Sequence, residues 1–262
     1  MIARTHIGVV GAALAAVIAL FAMTPSQSGA VETVTLHTSF TPDRLGANTT
    51  IGFGFKIVDS SGGVPPALSN VGLKLPVGIN YLTTTLGLAI CQPEALLKSG
   101  LAGCSPNSRL GFGSAFVEVP FGSTTGREIP HIDALMGPPH DGNIVVLFYA
   151  DGTAPVSAQL VLQSELIEGS AARGGALNIG VPPIPSVPGG PTVSIISVQT
   201  TIGPEHLTYY THRHGRRIAF HPKGVSVPEH CPRGGFRFSA TFAFIDGSSA
   251  TANSTVPCPR GH

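Results

Sequence analysis

Phe236, Phe238, Ala240, Phe242 and Phe244 take every second position near the C-terminus, with Arg237, Ser239 and Thr241 between them. Side chains of a strand point alternately to its two faces, so a period of two commits this segment to a strand with one apolar and one wet face. Asp246-Gly247 follows as a hairpin-turn pair. The return strand, "SATANSTV", puts Ala250, Ala252 and Val256 on one face and Ser249, Thr251, Asn253 and Thr255 on the other. Large Phe opposite small Ala lets a second sheet approach closely.

The same grammar recurs. Val34, Leu36, Thr38 and Phe40 alternate with polar partners, "TPDRLGAN" makes a turn, and Ile51, Phe53, Phe55 and Ile57 alternate again. A third strand carries Val71, Leu73 and Leu75. Further strands are expected at 109–118, 128–136, 143–150, 155–168, 173–180, 192–202, 206–213 and 216–221. One helix is expected after Cys91, where "QPEALLKSG" has Pro93 in its first turn, Glu94 near the positive end, Lys98 near the other and Gly100 as a stop. The expected class is all-β, an antiparallel β-sandwich with one short disulfide-flanked helix. Regularly spaced apolar residues separate this chain from Gly/Pro-rich disordered ones.

The segment 181–191, "VPPIPSVPGGP", cannot be a central strand, because proline donates no ladder hydrogen bond. It reads as a Pro-rich connector between a larger β lobe over 31–180 and a smaller one over 192–262. A long loop inside one sandwich is the other reading.

The N-terminus speaks to compartment. After Arg4 and His6, an apolar run from Ile7 to Met23 ends at Thr24-Pro25, and Ser28-Gly29-Ala30 offers small residues for cleavage. Residues 1–30 therefore read as a secretory signal peptide, with no membrane span after its cleavage. An uncleaved N-terminal anchor is the alternative. The expected location is secreted, extracellular or cell-surface associated. In an oxidising space four cysteines favour two disulfides. Of three possible pairings, the local one, Cys91–Cys104 and Cys231–Cys258, is the simplest. Cys231 and Cys258 open two copies of Cys-Pro-Arg at the foot of the Phe hairpin, where "PRGG" can curl the chain back. No Cys-x-x-Cys occurs, so zinc and redox pairs have no framework.

Motifs for chemistry are sparse. There is no Gly-x-Ser-x-Gly, His-Glu-x-x-His or phosphate-binding Gly-Lys-Ser/Thr. "GFGSAF" at 111–116 alternates within a strand and opens no helix, so it is not a nucleotide loop. No cofactor and no nucleic-acid partner is indicated. The candidate metal or catalytic residues are His131, Asp133, His140 and Asp141 in "HIDALMGPPHDG", since two imidazoles and two carboxylates can hold a divalent cation. A wet strand and an ordinary Asp-Gly turn account for the same residues. "HLTYYTHRHGRR" adds His212 and His214 on one strand face, before a turn at His214-Gly215.

Charge is unevenly spread. Val31–Glu205 carries 7 Lys/Arg and 12 Asp/Glu, a net of −5; His206–His262 carries 7 and 2, a net of +5. The candidate anion-binding residues are Arg213, Arg216, Arg217, Lys223 and Arg237, and the partner they suggest is an anionic cell-envelope polymer. Docking of the basic lobe on the acidic one, or charges spread over a wet surface, explains the same count.

The pieces "TLHTSFTPDRLGANTTIGFGFKI", "CQPEALLKSGLAGCSPNSRLGFGSA" and "CPRGGFRFSATFAFIDG…VPCP" resemble a group of uncharacterised exported proteins of actinobacteria. The resemblance implies secretion and a β-rich fold; it carries no catalytic residue and no ligand. The functional expectation is a secreted structural or binding protein at the cell envelope or outside the cell. The alternative is a secreted hydrolase with a metal-dependent site around His131, Asp133, His140 and Asp141.

Overall fold

The computed structural model of the chain describes residues 32–81, 85–153, 157–170, 174–186 and 188–259. The expected signal peptide over 1–30 lies outside them. Period-two segments become strands throughout: β1 (Glu32–Thr41), β2 (Asn48–Asp59), β3 (Leu68–Lys74), β4 (Arg109–Phe121), β5 (Thr124–Glu128), β6 (His131–Met136), β7 (Ile144–Gly152), β8 (Ala158–Ile167), β9 (Ala176–Gly180), β10 (Ser194–Ile202), β11 (Tyr209–Arg213), β12 (Arg216–Phe220), β13 (Val225–Ser226), β14 (Phe236–Phe244) and β15 (Ser249–Val256). The expected strand at 128–136 is two strands. Ile129-Pro130 breaks it, because Pro130 has no N–H for the ladder. Among the described residues there is one α-helix, α1 (Pro93–Ser99), and it stands where its proline and charge placement predict.

The architecture departs from the expected sandwich. One wall runs β1-β2-β10-β4-β6-β7-β8-β9-β3-β14-β15, with β13 attached to β2 and β5 to β4; β11 and β12 form a separate ribbon. Its first and last strands lie side by side, so the wall curls into a nearly closed barrel rather than two stacked sheets. The Phe face is satisfied without a second sheet: it turns inward and packs across the barrel. Phe40 of β1 meets Phe236 and Phe238 edge-on, and Phe55 of β2 meets Phe242 with ring centroids 4.9 Å apart. The small inner side chains of β15, Ala250, Ala252 and Ser254, let rings from β14 reach β1 and β2 past them.

The barrel has eleven strands in its wall and every pairing is antiparallel. Alternation over an odd number forces the first and last strands to run the same way. The contacts across the seam agree: Thr38 Oγ1 donates to Ser254 Oγ at 2.9 Å, and Ser248 Oγ donates to Glu32 Oε2 at 3.1 Å, both over 216 residues. A constant separation is the signature of parallel strands.

The barrel is closed differently at its two rims. At the rim bearing the C-terminal ends of β1 and β8, the segments 75–81, 85–108 and 203–235 fold over the opening and bury Leu86, Leu207, Tyr209 and Val225. The Tyr209 hydroxyl accepts from the Gly87 amide at 2.9 Å and donates to the Arg109 carbonyl. At the opposite rim the Pro-rich stretch doubles back on itself. Val193 N donates to Ile184 O and Ser186 N to Pro191 O, and Val181 and Val193 are buried. β10, C-terminal to this stretch, lies between β2 and β4, and β14 pairs with β3. Strands from both of the expected lobes therefore share one sheet.

Both disulfides form with the local pairing, Cys91–Cys104 and Cys231–Cys258. The first closes the α1 segment, which covers the outer face of β6 and β7 through Leu96, Leu135, Leu147 and Tyr149. The second joins the strand ends beyond the Phe236–Val256 pair. Gly234 and Gly235, with φ of +83° and +86°, make the curl that brings Cys231 back. Positive φ is what glycine tolerates and other residues resist.

Candidate functional site

The four metal candidates separate into two pairs. On the outer face of β6, His131 Nε2 lies 3.3 Å from Asp133 Oδ2, and Arg109 Nε lies 3.1 Å from Asp133 Oδ1. Asp133 is buried beside the α1 cover. Burial pushes its carboxyl above the usual carboxylate range, and the Asp151 carboxylate adds to this; Arg109 and His131 pull the other way. His140 and Asp141 sit past the other end of β6, in the turn to β7. There His140 Nδ1 lies 2.5 Å from Glu165 Oε1 and 3.8 Å from Asp141 Oδ2. Both turn residues are exposed, and Asp141 adopts φ of 48°, which Asp tolerates better than most residues. Among the described residues no group of three or more His, Cys, Asp or Glu is placed to hold a metal ion.

The anion-binding candidates also divide. Arg213, Arg216 and Arg217 gather at the tip of the β11–β12 ribbon, where Arg213 faces Arg216 and His212 faces Arg217. His214 and Gly215, both at positive φ, make the two-residue turn that suits a twisted hairpin. The ribbon's base is fixed: Asn107 bonds both the N–H and the carbonyl of Tyr210, and Phe220 packs edge-on against buried Tyr209. The Arg217 guanidinium stacks 3.5 Å over the Tyr210 ring. Lys223 follows the ribbon and is exposed. Arg237 lies apart from it, exposed on the outer face of β14, in a shallow groove it shares with Lys74.

A third feature went unread in the sequence. The barrel interior holds a partly open cavity of about 470 Å³, within the roughly 300–1,000 Å³ range of ligand pockets. It arises because the interior is filled from one side. The rings on β14, β1 and β2 occupy their half, whereas the opposite wall offers Leu160 and Leu162 of β8 and Leu177 and Ile179 of β9. These four point inward yet stay only half-buried. The cavity touches Glu128 and Ala158 at one rim and Glu168 and Gly174 at the other. It therefore runs the length of β8, whose ten residues extend about 30 Å. Tyr81, Asn80 and Thr200 bring neutral polar groups to a mainly aliphatic and aromatic lining, which also includes Glu128 and Glu168. Burial holds the Tyr81 phenol well above its ordinary pKa, so it keeps its proton.

No family model, curated protein or solved structure matches the chain.

Proposed function

We propose that this is an exported binding protein whose barrel takes an elongated apolar molecule into its interior. The observation that carries the reading is the run of half-buried Leu and Ile on the inner faces of β8 and β9, beside a cavity of ligand size. Apolar surface left facing a lumen is favourable to cover, at about 25 cal/mol per Å². The outer face supports an aqueous setting. Thr33, Thr35, His37 and Ser39 on β1, and Thr251, Asn253 and Thr255 on β15, point away from the core. A barrel standing in lipid places apolar residues outward instead. The two disulfides, the absence of a helix long and apolar enough to cross a membrane among the described residues, and the N-terminal apolar run suit secretion.

The test is binding of a neutral polarity-sensitive dye, Nile red, to the purified mature chain. Saturable fluorescence enhancement near one dye per chain is expected. Ala150→Phe, which fills lumen beside Phe148, should abolish it while the fold persists by circular dichroism. An undiminished signal in that variant, or none in the parent, overturns the reading.

A second reading rests on the β11–β12 tip, which gathers three Arg of the basic C-terminal stretch at one exposed point. It makes the ribbon a contact for an anionic polymer of the cell envelope. The hydrolase reading has less to stand on, since His131 and Asp133 lie apart from His140 and Asp141.

A further inference from the structure

Resting on the cavity reading above, we infer that the ligand is a long-chain amphiphile with one hydrogen-bonding end group, a hydroxyl or carbonyl. It lies with that group beneath the cap made by 75–81, 85–108 and 203–235, and its chain runs toward the Pro-rich stretch. The inference comes from where the lumen places its polar side chains. Asn80, Tyr81, Thr200, Glu168 and Ser170 belong to the capped end, whereas Val117, Ile132, Ala150, Ile184 and Val193 line the other.

The polar end is assembled from the cap, β10 and the end of β8. The backbones of Asn80 and Ser226 bond each other in both directions, at 3.1 and 2.9 Å, and Ser226 pairs with Asn48 at the start of β2. This anchors Asn80, and Tyr81 beside it, in the cap. Tyr81 keeps its proton and so can donate. Thr200 stands on β10 opposite Phe53 and Gly113, just before that strand ends at Ile202 under the same cap. Its hydroxyl donates to the Phe53 carbonyl at 3.4 Å, and a donating hydroxyl still accepts. Glu168 and Ser170 follow the end of β8. At the far end the polar side chain among the described lining residues is Glu128. Its Oε1 takes the Thr153 amide at 2.6 Å, which ties it to the wall.

An amphiphile in such a lumen has two orientations, and they are unequal. Beneath the cap its end group meets donors and acceptors. Turned round, the same group would lose its water against Val117, Ile132 and Val193, and a polar group buried without a partner is costly. The chain covers the half-buried Leu and Ile of β8 and β9 in either pose, so the end group decides.

The experiment uses the disulfide-intact mature chain, which has no Trp of its own. Single reporters go to half-buried lining positions, Ile79→Trp in the cap and Ile184→Trp in the Pro-rich stretch. Bromine quenches Trp by contact. Dodecanol brominated on its terminal carbon should therefore remove most of the fluorescence of the Ile184→Trp chain and little of that of Ile79→Trp. Equal quenching, or the reverse order, overturns the inference while leaving the cavity reading intact. Displacement of Nile red is the second measurement. Tyr81→Phe and Thr200→Val should each weaken competition by dodecanol about three- to tenfold, the loss of one hydrogen bond, and leave competition by dodecane unchanged. Equal effects on alcohol and alkane, or no effect on either, overturn it too. Failure of Nile red to bind the parent chain overturns the cavity reading itself.

Discussion

Thr38 and Ser254 meet across the seam of the barrel, hydroxyl to hydroxyl at 2.9 Å, on strands that run parallel in a molecule whose every other strand pairing is antiparallel. Both hydroxyls lie on the inner face, in line with Leu36 and Ala252. The seam is held by small side chains and not by a backbone ladder, which makes its geometry sensitive to volume. Ala252→Leu should therefore cost about 1–3 kcal/mol, since the added atoms would enter the space that lets Phe40 reach Phe236 and Phe238. Thr38→Val should cost less, about 1 kcal/mol, as a half-buried hydrogen bond is lost at nearly constant volume. Urea unfolding of the two variants checks the order; a harmless Ala252→Leu would mean that β1 and β15 separate freely.

The two halves of the barrel interior should answer differently to truncation. Phe242 is fully buried against Phe55, so Phe242→Ala should cost about 3–5 kcal/mol. Leu160 faces the cavity and is half-buried, so Leu160→Ala removes little packing and should cost about 1 kcal/mol or less. The same urea experiment reads both. Equal large losses would mean the lumen beside β8 is packed as tightly as the Phe side.

These two residues also mark how far the sequence could be read. Alternation told which side of each long strand faces inward, and that is enough for Phe242, for most of the strand list and for the Cys231–Cys258 staple beneath the hairpin, though not for β5 or β13. It could not tell how the inward faces meet. Sandwich and barrel share the same period of two, and the choice depends on twist, on bulges such as those at Ile195/Ser197 and Arg109/Gly111, and on close backbone approach. A side chain at Gly111 would stand 1.7 Å from the Thr201 carbonyl oxygen. The glycines of "GFGSAF" therefore serve strand contact, as their alternation implied, but the curvature they permit is not written locally. Whether Leu160 ends in a filled core or beside a void depends on residues from ten other strands, so the cavity was invisible. Asp133 was singled out by its neighbour His131. Its partner Arg109, on another strand, carried no local signal.

Asp133 yields a prediction in pH. Burial raises its folded-state pKa above the unfolded value, so the folded chain holds this proton more firmly. The associated stability is fully present below the unfolded carboxyl pKa and is lost as pH rises through the raised folded value. Asp133→Asn removes this dependence, and the variant should lose less stability than the parent across that rise. Arg109→Gln works the other way. It leaves a buried carboxylate without its nearby cation, and should destabilise by about 1–3 kcal/mol at neutral pH and by less in acid, where the carboxyl is protonated. Melting temperatures from acid to neutral pH distinguish these outcomes; parallel profiles for parent and Asp133→Asn would remove Asp133 from the account.

The β11–β12 tip makes the last prediction. No Asp or Glu occurs between Glu205 and Glu229, so the ribbon's Arg213, Arg216 and Arg217 have no acidic neighbour in sequence to offset them. Clustered cations attract a polyanion, and the attraction weakens as salt shortens the screening length to about 10 Å at 0.1 M. Arg217 is stacked on Tyr210, so altering it would also disturb the ribbon; Arg213 and Arg216 are exposed at the tip. The double change Arg213→Glu with Arg216→Glu should sharply reduce binding to isolated anionic cell-wall material at low salt. The melting temperature should stay within about 2 °C of the parent, as expected for surface substitutions. A fall in melting temperature with binding unchanged would instead mean that these arginines dock against the acidic part of the chain, and the ribbon would then be structural.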